Sequence, residues 1–127
     1  MIKRITIISV MTLGLVFLAG CGLLGDTEDP TVSITQPADN AVVSGTVEIK
    51  ATADDNEGVT KVEFYVDGDL EGTDNEAADF EYSYSWDASG ETPGSSHTIQ
   101  AKAYDAADNV GESSVITVTI AGGGGPT

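Results

Sequence analysis

The stretch Lys61-Val62-Glu63-Phe64-Tyr65-Val66-Asp67-Gly68 (KVEFYVDG) decides the fold class. Val62, Phe64 and Val66 alternate with Lys61, Glu63 and Tyr65, the period-two pattern of a strand with one face in a core and one in water. Asp67-Gly68 then supplies the residue pair that a tight hairpin turn demands. The same alternation recurs outward from this stretch. Val47, Ile49, Ala51 and Ala53 alternate with Thr46, Glu48, Lys50 and Thr52. Val32 and Ile34 do so near the start, Phe80, Tyr82, Tyr84 and Trp86 later, then Ile99, Ala101 and Ala103, and Val115 to Ile120 forms a last β-branched run. Leu70 falls on a short strand after the hairpin. Beyond the first twenty residues no window reads as a helix.

About seven short strands in about 90 residues, separated by turn signals, predict an all-β, immunoglobulin-like antiparallel β-sandwich, with a small barrel as the structural alternative. The expected core is Val47, Ile49, Val62, Phe64, Val66, Trp86 and Ile99. Tyr82, Tyr84 and Phe80, in period with Trp86, are read as core rather than as a sugar-stacking platform.

The chain has 127 residues, a length that predicts one domain, and 40% of them are hydrophobic. Its 21 acidic residues against 5 basic ones give a formal net charge of −16. Such a field repels phosphate backbones, so nucleic acid is not expected as a partner. A single cysteine permits no intrachain disulfide.

That cysteine closes the only long apolar run. Met1-Ile2-Lys3-Arg4 is a basic start and Ile5 to Leu18 is almost wholly apolar, too short for a comfortable membrane span. Leu18-Ala19-Gly20-Cys21 resembles the lipobox of bacterial lipoproteins. The resemblance implies a signal peptide over residues 1–20, cleavage before Cys21, and lipidation of Cys21 by palmitate-like acyl chains. Two such chains hold a protein stably on a bilayer. The implied location is outside the cytoplasm, anchored to the bacterial cell membrane, with outer-membrane or cell-surface placement open because Gly22 follows the cysteine. Residues 21–30 (from Cys21, then GLLGDTEDP) then form a tether, residues 31–120 the domain, and residues 121–127 a Gly-rich flexible tail.

Thr31-Val32-Ser33-Ile34-Thr35-Gln36-Pro37, the Lys61–Gly68 block, Ser85-Trp86-Asp87, and Ala101 through Asn109 (AKAYDAADN) together resemble a bacterial Ig-like domain. That family recurs in secreted and surface proteins and beside catalytic domains of polysaccharide-degrading enzymes. The resemblance implies a non-catalytic binding, adhesion or structural module on the membrane, with a surface protein or polysaccharide as candidate partner. An accessory domain working with a separate polysaccharide-degrading enzyme is the second reading. Asp108 stands where the family commonly has Gly, and Asp74 to Asp79 is more acidic than the usual loop.

No motif for catalysis is present: no HExxH, nucleophile elbow or phosphate loop, and His97 stands alone at the start of a strand. The chain is therefore read as a non-enzyme. Tyr65 and Tyr104 are the candidate ligand-contact aromatics. In an antiparallel sandwich alternate loops share a pole, which gathers Asp54, Asp55 and Glu57 with Asp74, Glu76 and Asp79 and with Asp105 and Asp108. Calcium takes six to eight oxygens from such loops, and Asp54, Asp55, Asp105 and Asp108 are the candidate calcium ligands. No other cofactor is expected.

Overall fold

A computed structural model describes residues 25–76 and 80–122. The signal segment, Cys21, Asp79 and the tail from residue 123 lie outside the described residues. Nine strands follow in chain order: β1 (Thr31–Gln36), β2 (Ala41–Val43), β3 (Thr46–Asp54), β4 (Val59–Val66), β5 (Asp69–Asp74), β6 (Glu81–Asp87), β7 (Ser96–Asp105), β8 (Val110–Glu112) and β9 (Ile116–Ile120). One sheet has the order β1-β3-β6, and the other β2-β9-β7-β4-β5 with β8 also paired to β7. All pairings are antiparallel except β2 with β9. This is the all-β sandwich that the alternation predicts. The two strands beyond the expected seven, β2 and β8, are three residues each.

The hairpin after β4 turns at Asp67 and Gly68, whose φ angles of 54° and 85° are both positive, as a two-residue turn that matches strand twist requires. That turn sets Val66 opposite Asp69 and so fixes the register of β5. Between the sheets, Ile49 and Ala51 of β3 meet Val62 and Phe64 of β4, Ile99, Ala101 and Ala103 of β7, and Val118 of β9, all fully buried. Trp86 and Tyr82 of β6 close the core, and Phe64 stacks on Tyr84 at 6.3 Å between ring centres. A buried aromatic of this kind contributes roughly 3–5 kcal/mol, a large share of a small domain's stability.

Phe80 departs from the expected core. It is 66% exposed, with φ of 65°. The sequence alternation runs on through Phe80, but its backbone has left the strand: its carbonyl turns back to accept the Ala53 N–H at 3.1 Å, and the ring is thrown outward. It borders a shallow surface groove of about 410 Å³ with Thr31, Ser33, Thr52 and Asp54.

The strand directions define two poles. β7 begins at Ser96 at one and ends at Asp105 at the other. The tether preceding β1 reaches the Asp105 pole, where Pro30 lies so close to Gly111 that any Cβ there would run into its carbonyl. β9 ends at the opposite pole, where Gly94 donates to the Ile120 carbonyl at 2.9 Å. The two ends of the domain thus leave in opposite directions.

Candidate functional site

Among the described residues, the tether pole holds the grouping of three acidic side chains that come within ligand distance of one another. Asp26 of the tether, Asp55 of the β3–β4 loop and Asp105 at the end of β7 each place a carboxylate oxygen within 4.8 Å of the others. Asp105 is 2% exposed. Its Oδ1 accepts the Ala107 and Asn109 N–H groups, both at 2.9 Å, and its Oδ2 accepts Asn109 Nδ2 at 2.8 Å. This is an acidic side chain folding its own loop around itself, the usual Asp turn chemistry. The same Asn109 amide donates to the Asp26 backbone carbonyl at 2.9 Å, and Asn56 reaches Asp26 Oδ1 at 3.2 Å. Two loops therefore grip the tether through Asn side chains and bring its carboxylate to the other two.

The grouping is not self-sufficient. Asp55 Oδ2 accepts the Glu57 N–H at 2.9 Å, but Asp55 Oδ1 and Asp26 Oδ2 are buried with no hydrogen-bond partner. A buried polar oxygen left unpaired is costly. Burial pushes the Asp55 carboxyl up to about 6, with the negative charges of Asp26, Asp105 and Glu28 adding to it and the Glu57 amide opposing it. Asp105 moves the other way: burial would raise it, but bonds from the Asn109 side chain and amide and from the Ala107 amide hold it below the ordinary carboxylate range.

Of the four candidate calcium ligands, the fold brings Asp55 and Asp105 together. Asp54, at the end of β3, is exposed and turns back to accept the Asp55 N–H at 2.9 Å. Asp108 is exposed at the loop tip with φ of 67°, a left-handed conformation that favours glycine. Neither belongs to the three-carboxylate grouping. Asp26 was not among the sequence candidates. It sits in a stretch without periodicity, and the one signal for it was its being an acid in a tether expected at that pole.

Tyr65 of β4, opposite Gln100, and Tyr104 of β7, opposite Lys61, share one outer face with the Glu63–Lys102 pair between them. Both hydroxyls donate to one oxygen, Glu63 Oε1, at 2.6 and 2.7 Å, and Lys61 donates to Oε2 at 3.0 Å. The Lys61 ammonium stands 4.5 Å from the Tyr104 ring centre, and that of Lys102 stands 4.9 Å from Tyr65's. Each aromatic is thus engaged at its hydroxyl and at one ring face. Burial would raise the Glu63 carboxyl, but the bonds from Tyr65, Tyr104 and Lys61 together lower it; the bond to Glu63 makes the Tyr65 phenol harder to ionise, and burial with the same bond does so for Tyr104.

His97 has partners that the sequence concealed. Its Nδ1 lies 2.6 Å from Asp67 Oδ2 and its Nε2 lies 2.8 Å from Ser95 Oγ, the order of a Ser-His-Asp relay. The surroundings do not suit acyl transfer. The Ser95 hydroxyl donates to the Thr92 carbonyl at 2.6 Å, and the N–H groups of Gly94 and Ser95 are already bonded to Ile120 and Thr92. An oxyanion would find no free amide from those two residues. The imidazole, edge-on to Trp86, braces the β6–β7 loop against the β4–β5 turn.

A family model described as a bacterial Ig domain matches residues 30–101. The chain belongs to that bacterial Ig domain family. Among solved structures it is similar to the fibronectin(III)-like modules of Clostridium thermocellum CbhA, at 38% identity and a TM-score of 0.57, over 72% of this chain and 45% of that one. It shares its fold with part of an endo-beta-1,4-mannanase from Thermotoga petrophila, at 18% identity and a TM-score of 0.60, over 76% of this chain and 20% of that one. The chain therefore spans less than half the length of either. No match was found among curated proteins. Domains of this bacterial Ig and fibronectin-like kind are typically non-catalytic modules, and the match is to no catalytic family.

Proposed function

We propose that this bacterial Ig domain is a lipid-anchored, non-catalytic surface module. It stands on the membrane through Cys21 and presents binding or structural surface away from the bilayer. The observation that carries the reading is the opposition of the two ends: the tether enters at the Asp105 pole and β9 leaves at the other. A domain threaded in this way holds whatever follows it, or whatever binds its far pole, at a fixed distance from an anchor. Cys21 is five residues before Asp26, so an acylated Cys21 keeps that pole close to the lipid headgroups. In the native host the chain should take up labelled palmitate and partition into detergent, and Cys21→Ser should abolish both. A wild-type chain that stays aqueous and unlabelled would refute the anchor.

The second reading, an accessory domain acting with a polysaccharide-degrading enzyme, is favoured by the likeness to the CbhA modules. The lysines standing over Tyr65 and Tyr104 weigh against those two rings as a sugar platform. Retention on insoluble polysaccharide, lost in Tyr65→Ala with Tyr104→Ala, would restore them to that role.

A further inference from the structure

On the second reading above, in which the domain acts with a polysaccharide-degrading enzyme, we propose that the groove beside Phe80 holds a neutral polysaccharide chain, with the Phe80 ring stacked on a sugar face. Two independent observations meet at this residue. Its φ of 65° lies in the left-handed region, which costs a bulky side chain backbone energy. Asn40, Asp67 and Asp108 share that conformation, but their short polar side chains suit it. Phe80 is the exception. Its ring is also 66% exposed, the one exposed aromatic among the described residues. The fold thus strains its backbone to hold an apolar ring in water, which does nothing for stability. A strained, exposed aromatic beside a groove is placed to meet a ligand.

The rest of the groove selects that ligand. Thr31 lies opposite Asp54 and Ser33 opposite Thr52, and all four are exposed. They make two polar rungs about 7 Å apart along the strands. Asp54 takes the Asp55 N–H on Oδ1 at 2.9 Å, leaving Oδ2 for a sugar hydroxyl. Half-buried Val32 and buried Ala53 form the floor. A ring flanked by hydroxyls and a carboxylate matches a sugar, whose C–H face is apolar and whose rim is hydroxyl. Other occupants fit less well. No cation lines the groove, and a net charge of −16 repels uronates, sulfates and anionic headgroups. A protein partner needs a larger desolvated centre than one ring over a half-buried valine. The volume of about 410 Å³ falls within the usual range of ligand sites, roughly 300–1,000 Å³. A shallow groove on the sheet surface also lets a long chain pass through it.

The test measures retention of the full chain, in detergent, on microcrystalline cellulose, chitin and β-mannan, with polygalacturonate as the anionic probe. Wild type should be retained on at least one neutral polymer and pass over polygalacturonate. Phe80→Gly removes the ring and suits the left-handed backbone. Its retention should weaken about tenfold or more, while its urea midpoint stays level or rises. Phe80→Trp keeps an aromatic face and should stay within about threefold of wild type. Leu70→Ala, which removes an exposed apolar side chain on β5, should leave retention unchanged. Undiminished retention of Phe80→Gly would overturn the Phe80 site and leave the polysaccharide reading standing. Wild type retained on none of the three neutral polymers would overturn both. Equal retention on polygalacturonate would overturn the neutral ligand, and a urea midpoint that falls along with retention would make Phe80 a packing residue. Cys21→Ser is also floated with phosphatidylcholine vesicles, where flotation that depends on Phe80 would give the ring to the bilayer and overturn the sugar site.

Discussion

Two carboxylate sites on this domain face opposite fates. Glu63, on the outer face of β4, is only 9% exposed yet fully served, with two phenol hydroxyls on one oxygen and an ammonium on the other. Asp55, at the tether pole, is comparatively more open, yet one of its oxygens is buried without a donor and two acids crowd it. The first carboxyl is lowered and the second is raised to about 6. Burial alone does not separate them, since it pushes both upward. The donors do. Charge-assisted bonds from partners placed at i ± 2 along a strand, and across to the next strand, make Glu63 part of the scaffold. In the Asp grouping two oxygens lack a donor, and no cation answers the charges crowded around Asp55 among the described residues.

Neutralising the two carboxyls should therefore act in opposite directions, and the larger effect should come from Glu63. Glu63→Gln keeps the shape but removes the charge that Tyr65, Tyr104 and Lys61 address. The expected loss is about 2 kcal/mol, the scale of hydrogen bonds to a charged group. Urea unfolding checks it: the midpoint should fall with an unchanged slope, since no new surface is exposed. A neutral result would mean that water replaces the lattice without cost, and Glu63 would then be an ordinary surface acid.

Asp55→Asn should go the other way. It removes one of three mutually repelling charges and supplies an amide that can donate to Asp26, so a gain of ~1 kcal/mol or less is expected. A variant less stable than wild type in a chelator would show that Asp55 is held by its Glu57 turn more than it is strained by its neighbours.

The sequence made one of these regions legible and half hid the other, for a physical reason. Lys61, Glu63 and Tyr65 are i, i+2, i+4 on one strand, and period two places them on a common face without knowledge of the rest of the fold. The core followed from the same periodicity, and all seven expected core residues are buried. Asp55 and Asp105 could be drawn together because alternate loops of an antiparallel sandwich share a pole. Asp26 could not, because its position depends on Pro30 packing against Gly111 and on Asn109 capturing its carbonyl, contacts more than 80 residues apart in the chain. The short strands β2 and β8 escaped for a similar reason: three residues carry no period, and only their partners β9 and β7 make them strands. Phe80 misled because a left-handed φ interrupts an alternation that the sequence of side chains continues.

The smallest expected effect is in the pH dependence, and its sign distinguishes the two sites. A carboxyl raised from 3.8 to about 6 binds more protons in the folded than in the unfolded chain between those values. Asp55 should therefore contribute stability that declines as the pH rises from about 4 to about 6 and is level above it. Glu63, lowered in the fold, contributes stability that is present above its unfolded value and is lost as the pH falls through its folded one. The two slopes oppose each other in the wild type, so the measurement is a difference: unfolding midpoints of wild type minus Asp55→Asn, from pH 4 to pH 7, in chelator. That difference should drift against the wild type up to about pH 6 and then flatten. A difference that stays level from pH 4 to pH 7 would mean that Asp55 holds its proton alike in the folded and the unfolded chain, and that burial and its acidic neighbours do not strain it.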